Sequence, residues 1–197
     1  MHNMAERWNT PEGLLFKSER LSMKPLDRDD KAQADFFIEL STSEYFKKYE
    51  SNIELDTPEM VEEYMLKVTN FPTPLWDLSY CGAWMVYAQD TVIGFVMCEK
   101  EPKEWYPTIS YGVSEGETGK GYATEATRAL LTWVRDNDLA EDFFAVVQPE
   151  NEASKKVLKK SGFVVELGIH ELKLFMDGKP GMAFCTTEVE DVEALNG

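Results

Sequence analysis

The chain is poor in the groups that most enzyme chemistry uses. Its 197 residues hold only two histidines, His2 and His170, and three cysteines, Cys81, Cys98 and Cys185. Neither histidine sits in a motif, which argues against a histidine-based triad or a zinc centre, and no metal is expected. The cysteines are odd in number and lack metal-ligand spacing, so they read as reduced structural thiols. No apolar run is long enough to span a bilayer, and no secretory leader is recognisable. The cytoplasm is therefore the expected location. Positive charge is scarce too: 20 Lys and Arg stand against 36 Asp and Glu, a formal net charge of −16. Phosphate-rich partners are repelled by such a chain, so neither nucleic acid nor an anionic membrane is an expected partner. A cationic acceptor would be attracted, although the same charge serves solubility. There is no Ser/Gly/Pro-rich linker and no internal repeat. One domain over residues 1–197 is expected, with a core of about 16–187, a loose lead-in and an acidic tail.

What is present begins with a glycine turn. The strand-like run Ile109-Ser110-Tyr111-Gly112-Val113 is followed by Gly119-Lys120-Gly121-Tyr122-Ala123-Thr124-Glu125-Ala126. The first amides of a helix lack intrahelical acceptors and sit at the positive end of its dipole, so such a turn suits a phosphate group. Gly119 and Gly121 permit unusual backbone angles and close approach. Lys120 adds charge and Thr124 a hydroxyl. A P-loop would need Gly at 114 and Ser or Thr at 121, where this chain has Ser114 and Gly121. A dinucleotide fingerprint would need Gly or Ala at 124, which is Thr. A glycine turn that merely starts a helix is the bland alternative. The helix that follows carries Ala123, Ala126, Thr127, Leu130, Leu131 and Val134 on one stripe and ends near Asn137-Asp138.

The second segment is Val147-Gln148-Pro149-Glu150-Asn151-Glu152-Ala153-Ser154, leading through Val157 and Leu158 to Ser161-Gly162-Phe163. Phe143 to Val147 reads as a buried strand, and a helix then runs from Asn151 to a terminating Gly162. Asn151 as N-cap, with Ser154 at the third helical position, would account for both without chemistry.

In this order the two segments resemble the GNAT superfamily of acyl-CoA-dependent N-acyltransferases, in particular its RimJ/RimL-like branch. The resemblance implies an α/β GNAT fold, with a mixed, mostly antiparallel sheet and helices on both faces. It implies direct transfer of an acetyl group from acetyl-CoA, the cosubstrate, to a primary amine, either a peptide N-terminus or a small molecule. A non-catalytic acyl-CoA-binding module is the alternative. By resemblance, Gly119, Lys120, Gly121, Tyr122, Ala123 and Thr124 hold the pyrophosphate. Tyr111 and the Val113 backbone align the pantetheine, Asn151 and Lys156 hold the cofactor, and Ser154 is the acid for the departing thiolate. Many relatives place a Tyr at the position of Leu158 and a Glu within the stretch matching Pro107-Thr108-Ile109; this chain has neither. Glu99, Glu101 and Glu104 are nearby alternatives for a base. Lys120, Arg128, Lys155 and Lys156 are candidates for a positive patch facing the cofactor. Relatives are often dimers, so a homodimer is among the assemblies implied.

The remaining chain fits the same plan. Arg20 to Leu26 alternates as a strand, and Asp27 to Leu40 reads as a helix with Ala32, Phe36, Phe37 and Leu40 apolar. Thr57-Pro58-Glu59 starts another, continued by Met60, Val61, Tyr64 and Val68. Phe71 to Asp77 reads as a loop. Ala83–Ala88 and Val92–Cys98 form a hairpin, and Phe163–Ile169 and Gly181–Thr187 close the sheet, with Asp177-Gly178 as a turn between them. Tyr45, Phe46, Trp76, Trp84 and Trp105 are acceptor-pocket candidates, against the commoner role of aromatic residues as core.

Overall fold

A single mixed sheet organises the protein. The computed structural model describes residues 14–49, 55–68, 80–100, 107–167 and 181–186, without the side chains of 80, 81 and 165–167. Its strands are β1 (Phe16–Lys17), β2 (Leu21–Pro25), β3 (Tyr80–Ala88), β4 (Thr91–Lys100), β5 (Thr108–Val113), β6 (Phe144–Val147), β7 (Val165–Leu167) and β8 (Met182–Cys185). They lie in the order β1-β2-β3-β4-β5-β6-β8-β7. Neighbours are antiparallel except β5 and β6, which run parallel. The β5–β6 ladder has one register pair, Thr108↔Phe144, supported by the Phe144 amide donating to the Pro107 carbonyl at 2.9 Å. Beyond that pair the strands part.

Helices cover both faces. On one lie α1 (Lys31–Thr42), the short α2 (Glu44–Lys47) and α3 (Pro58–Val68). They bury Phe37, Leu40, Val61, Met65 and Val68 against Met85, Phe95 and Met97 of the sheet. On the other lie α4 (Tyr122–Asp136) and α5 (Glu152–Lys160). There Leu130, Leu131, Val134 and Leu158 meet Val96, Ile109, Ala145 and Phe184. Burial of apolar surface on two faces is the main favourable term for such a fold.

Local chemistry explains the element ends, and in places differs from the sequence pattern. The first helix starts at Lys31 rather than Asp27. Asp30 caps it, accepting from the amides of Ala32 and Gln33. The preceding Asp27–Asp30 stretch is a turn, closed by the Asp30 amide on the Asp27 carbonyl at 3.2 Å and tied to Gln33 Oε1 through the Asp27 amide. Ala32 is exposed, while Gln33 and Ser41 take buried places instead. The helix from Pro58 and the hairpin of β3 and β4 form as expected, with Gln89 in the turn at φ 56°. Among the described residues the closing strand after Phe163 is Val165–Leu167, and Phe163 itself is core. Trp84 is not in an acceptor pocket. It is buried between Phe16 and Trp133, its indole N–H donating to the Leu14 carbonyl at 2.8 Å. Trp76, Trp105, Glu101, Glu104, the loop 71–77 and the turn at 177–178 lie outside the described residues.

Candidate active site

The parting of β5 from β6 opens a cavity of about 420 Å³ in the centre of the sheet. One wall is Ser110–Val113 of β5, the other Ala145–Val147 of β6; the glycine turn and the first residues of α5 complete it. The turn has the required backbone. Gly119 (φ 75°) and Gly121 (φ 84°) are left-handed, a conformation that residues with a Cβ rarely adopt. Gly121 is the N-cap residue of α4, its carbonyl accepting from the Glu125 amide at 3.0 Å. The free amides of Tyr122, Ala123 and Thr124 thus begin the helix at the cavity wall.

An ion-pair cluster fixes this turn from outside. The Glu125 carboxylate accepts from Ser18 Oγ (2.7 Å), the Arg20 amide (2.8 Å) and Arg20 Nε (2.7 Å), with Arg20 Nη2 at 2.6 Å. Arg20 Nη1 donates to the Lys120 carbonyl at 3.1 Å, and its guanidinium lies 4.7 Å from the centre of the Tyr122 ring. Burial works against ionisation of Glu125, but these hydrogen bonds and the Arg20 charge outweigh it and hold the carboxyl below its ordinary range. The β1–β2 turn is thereby bolted to the first turn of α4.

Across the cavity, Asn151 caps α5, its Oδ1 accepting from the Ser154 amide at 3.0 Å. The bland capping role is therefore real. It also holds the Ser154 hydroxyl on the cavity wall. Ser154 Oγ lies 2.7 Å from the Tyr111 hydroxyl, which also donates to the Ser154 carbonyl at 3.1 Å. Burial raises the Tyr111 pKa far above its ordinary value, the Ser154 hydrogen bond opposing only in part. The phenol therefore keeps its proton at any physiological pH. Leu158 is buried in the core behind the cavity wall, to which it also contributes. A tyrosine from β5 reaches the serine of α5 instead, a pairing that no spacing in the sequence reveals.

Tyr111, Val113, Gly119, Gly121, Tyr122, Ala123, Thr124, Asn151, Ser154 and Lys156 all line the cavity. Lys120 does not. Its ammonium is held by Glu117 Oε2 at 2.8 Å, so its contribution to the turn is its backbone. The expected positive patch is also rearranged. Lys155 pairs with Glu152 at 2.8 Å, and Arg128 donates to the Lys160 carbonyl at the end of α5. Lys156 remains on the wall, joined by Lys160. Glu99 shares a strand face with Phe95 and Met97, which line the cavity, and accepts from the Tyr64 hydroxyl at 3.2 Å. Phe46 and Tyr45 line the cavity as expected. The sequence reading missed Ser41, Tyr49, Tyr64 and Phe95, which join them there from separate elements.

Residues 20–164 match the family described as acetyltransferase (GNAT) domain. The chain belongs to the GNAT family. GNAT structures also share its architecture. RimL, the ribosomal L7/L12 alpha-N-protein acetyltransferase, in complex with coenzyme A, is 13% identical, with TM-score 0.67 over 87% of this chain and 96% of that one. The ribosomal-protein-S5-alanine acetyltransferase from Vibrio fischeri is 19% identical, with TM-score 0.65 over 90% and 97%. The microcin C7 self-immunity acetyltransferase MccE, in complex with acetyl-CoA and AMP, is 12% identical, with TM-score 0.64 over 87% and 94%. At these identities the likeness shows a common fold. No curated protein sequence matches the chain. As a GNAT member of RimJ/RimL-like architecture, it is an acyl-CoA-dependent N-acetyltransferase.

Proposed function

We propose that this GNAT enzyme acetylates a primary amine within the central cavity, as a single domain, and that the ten wall residues above are its cofactor and catalytic site. One observation carries the reading: a left-handed glycine turn and a half-buried serine–tyrosine pair stand on the wall of one cavity at the point where the sheet opens.

The residues present suit acetyl-CoA. The first amides of α4 would take its diphosphate, with Lys156 and Lys160 supplying charge. Asn151 spends its Oδ1 on the helix cap and keeps its Nδ2 as a donor toward the pantetheine arm. The β5 edge from Ser110 to Val113, released from β6, offers backbone groups along the cleft. When bound, acetyl-CoA supplies the acetyl group as an activated thioester.

The protein's own part is positioning and proton delivery. When the single Tyr111 proton turns from the Ser154 carbonyl to Ser154 Oγ, the Ser154 hydroxyl proton is free to point into the cavity, where a departing thiolate needs it. Tyr111, kept protonated by burial, stands behind it as a reserve. The amine must lose a proton to become nucleophilic. Glu99, bridged to the cavity by Tyr64, is a proton acceptor on the right face. Reaction through direct attack requires no covalent enzyme species.

Thiol release from acetyl-CoA, measured against a panel of N-terminal peptides, polyamines, amino acids and aminoglycosides, tests the reading. Release that depends on one acceptor class is expected; acetyl-CoA binding without release under any amine would instead favour a binding module. Gly121→Glu should abolish CoA binding by calorimetry, because bulk and negative charge enter the turn. Retained affinity would place the diphosphate elsewhere.

A further inference from the structure

The cavity holds a polar group that the protein leaves unsatisfied. Among the described residues Ser41 Oγ finds no hydrogen-bond partner; the residue is 1% exposed and belongs to the cavity wall. The next two hydroxyls in the chain behave differently. Thr42 Oγ1 donates to the Ile38 carbonyl at 2.8 Å, and Ser43 Oγ donates to the Leu40 carbonyl at 2.7 Å. A serine in a helix normally satisfies itself in this way. A buried hydroxyl that does not is unfavourable unless something else meets it.

Its surroundings define what that something is. Phe37, Tyr45, Phe46, Tyr64 and Phe95 form the neighbouring wall. Phe37 and Phe46 both meet Phe95 edge to face, at 5.2 and 5.7 Å. This aromatic shelf presses on β5 at Gly112, where an added Cβ would lie 2.7 Å from Phe46 Cε2 and 2.9 Å from Phe95 Cε1. Gly112 stands between Tyr111, the partner of Ser154, and Val113. Neighbouring strand residues face opposite ways, so the shelf lies across β5 from the Tyr111–Ser154 pair, and the cavity that both line joins them. Among the described residues, Glu117 is the only carboxylate on the cavity wall, and Lys120 already holds it. The described wall thus offers a polycation little counter-charge, whereas an aromatic body finds matching surface.

We propose that the acceptor is a monoamine on an aromatic body bearing one uncharged hydrogen-bonding group, and that Ser41 is the specificity residue that meets this group. The proposal rests on the acetyl-transfer reading and names the substrate class of that site. A site built to hydrogen-bond one substrate group discriminates strongly against the analogue that lacks it.

The test combines two readouts. Protein saturated with CoA is titrated calorimetrically with 2-phenylethylamine, tyramine, phenylalaninamide and spermidine, and thiol release from acetyl-CoA is followed with the same amines. Tyramine or phenylalaninamide should bind about tenfold more tightly than phenylethylamine, with spermidine weakest. Ser41→Ala should erase that tenfold difference while phenylethylamine and CoA bind as before. The proposal is overturned if spermidine binds as well as the aromatic amines, if no aromatic amine binds, or if Ser41→Ala weakens every amine alike. Binding in the expected order without thiol release would sink the transfer reading and leave the acceptor class standing. Release driven by spermidine alone would do the reverse.

Discussion

Ser154 has two duties, and mutation separates them. Its amide completes the cap with Asn151, while its hydroxyl meets Tyr111. Ser154→Ala keeps the amide and removes the hydroxyl. Turnover should fall by about 10²-fold with CoA affinity little changed, since a lost proton donor acts on the chemical step. Unchanged kcat would return Ser154 to a capping role. Tyr111→Phe should show a smaller loss in the same parameter. Arg20 is a different kind of residue. Without its guanidinium, the Glu125 carboxylate keeps Ser18 Oγ and one backbone amide but loses its counter-charge, in the first turn of the helix that would receive the diphosphate. Arg20→Gln should weaken CoA binding about tenfold, read by calorimetry, and Arg20→Gln with Glu125→Gln should recover part of it. The pair also carries a pH signature. Glu125 has a depressed pKa in the folded protein, so its stabilisation is complete above the ordinary carboxylate value of about 4.3. It is lost as pH falls through the lower folded value, so acid unfolding monitored by circular dichroism should begin at higher pH in Arg20→Gln.

Among the elements, β5 is the most constrained. Its partner β4 carries Gly94 opposite Val113. A Cβ on Gly94 would lie 2.2 Å from the Gly112 carbonyl oxygen and 3.0 Å from Val113 Cα, both backbone atoms that cannot rotate away. Gly94→Ala should therefore cost about 1–3 kcal/mol, seen as a lowered Tm, and displace the Val113 backbone. Acetyl-CoA affinity should fall with it; an unchanged Tm would show that the two strands yield easily. The glycine turn with its helix was legible in the sequence because local rules govern it: positive φ, a free helix start, a 3.6-residue stripe. The Tyr111–Ser154 contact was not. It depends on how far α5 sits from β5, which only the packing of Leu158 and its neighbours sets. The same limit applies to Trp84, where an aromatic residue reads alike in a pocket and in a core.

The whole molecule carries a net charge of −16, yet among the described residues the wall of its cavity holds one carboxylate, Glu117. Overall charge was the visible property of the sequence, and it suggested cationic acceptors. Tyr45 and Phe46 were named from the sequence, but the rest of the aromatic lining was invisible because Phe37, Tyr64 and Phe95 come from three further elements brought together by the fold. The buried thiols show the reverse case, where composition sufficed. Cys98 and Cys185 are buried, and burial with the nearby Asp142 charge pushes the Cys185 thiol up to about 11. Cys185 should resist iodoacetamide in the native protein at pH 8 and react once unfolded, as mass spectrometry would show.

The single rung between β5 and β6 has a mechanical meaning. Elsewhere each strand is stitched to its neighbour by two or more register pairs, but the two halves of this sheet are hinged at Thr108↔Phe144. Below that hinge, α4 packs on β4 and β5, α5 packs on β6, and the two helices meet each other across the gap. A molecule seated in the gap and bonded to both edges would act as a keystone, so the cosubstrate would be a structural member as well as a reactant. At a hundredfold excess over its Kd such a ligand adds about 2.7 kcal/mol to stability. Starved of it, the same protein would be a softer object, opened first along its own seam.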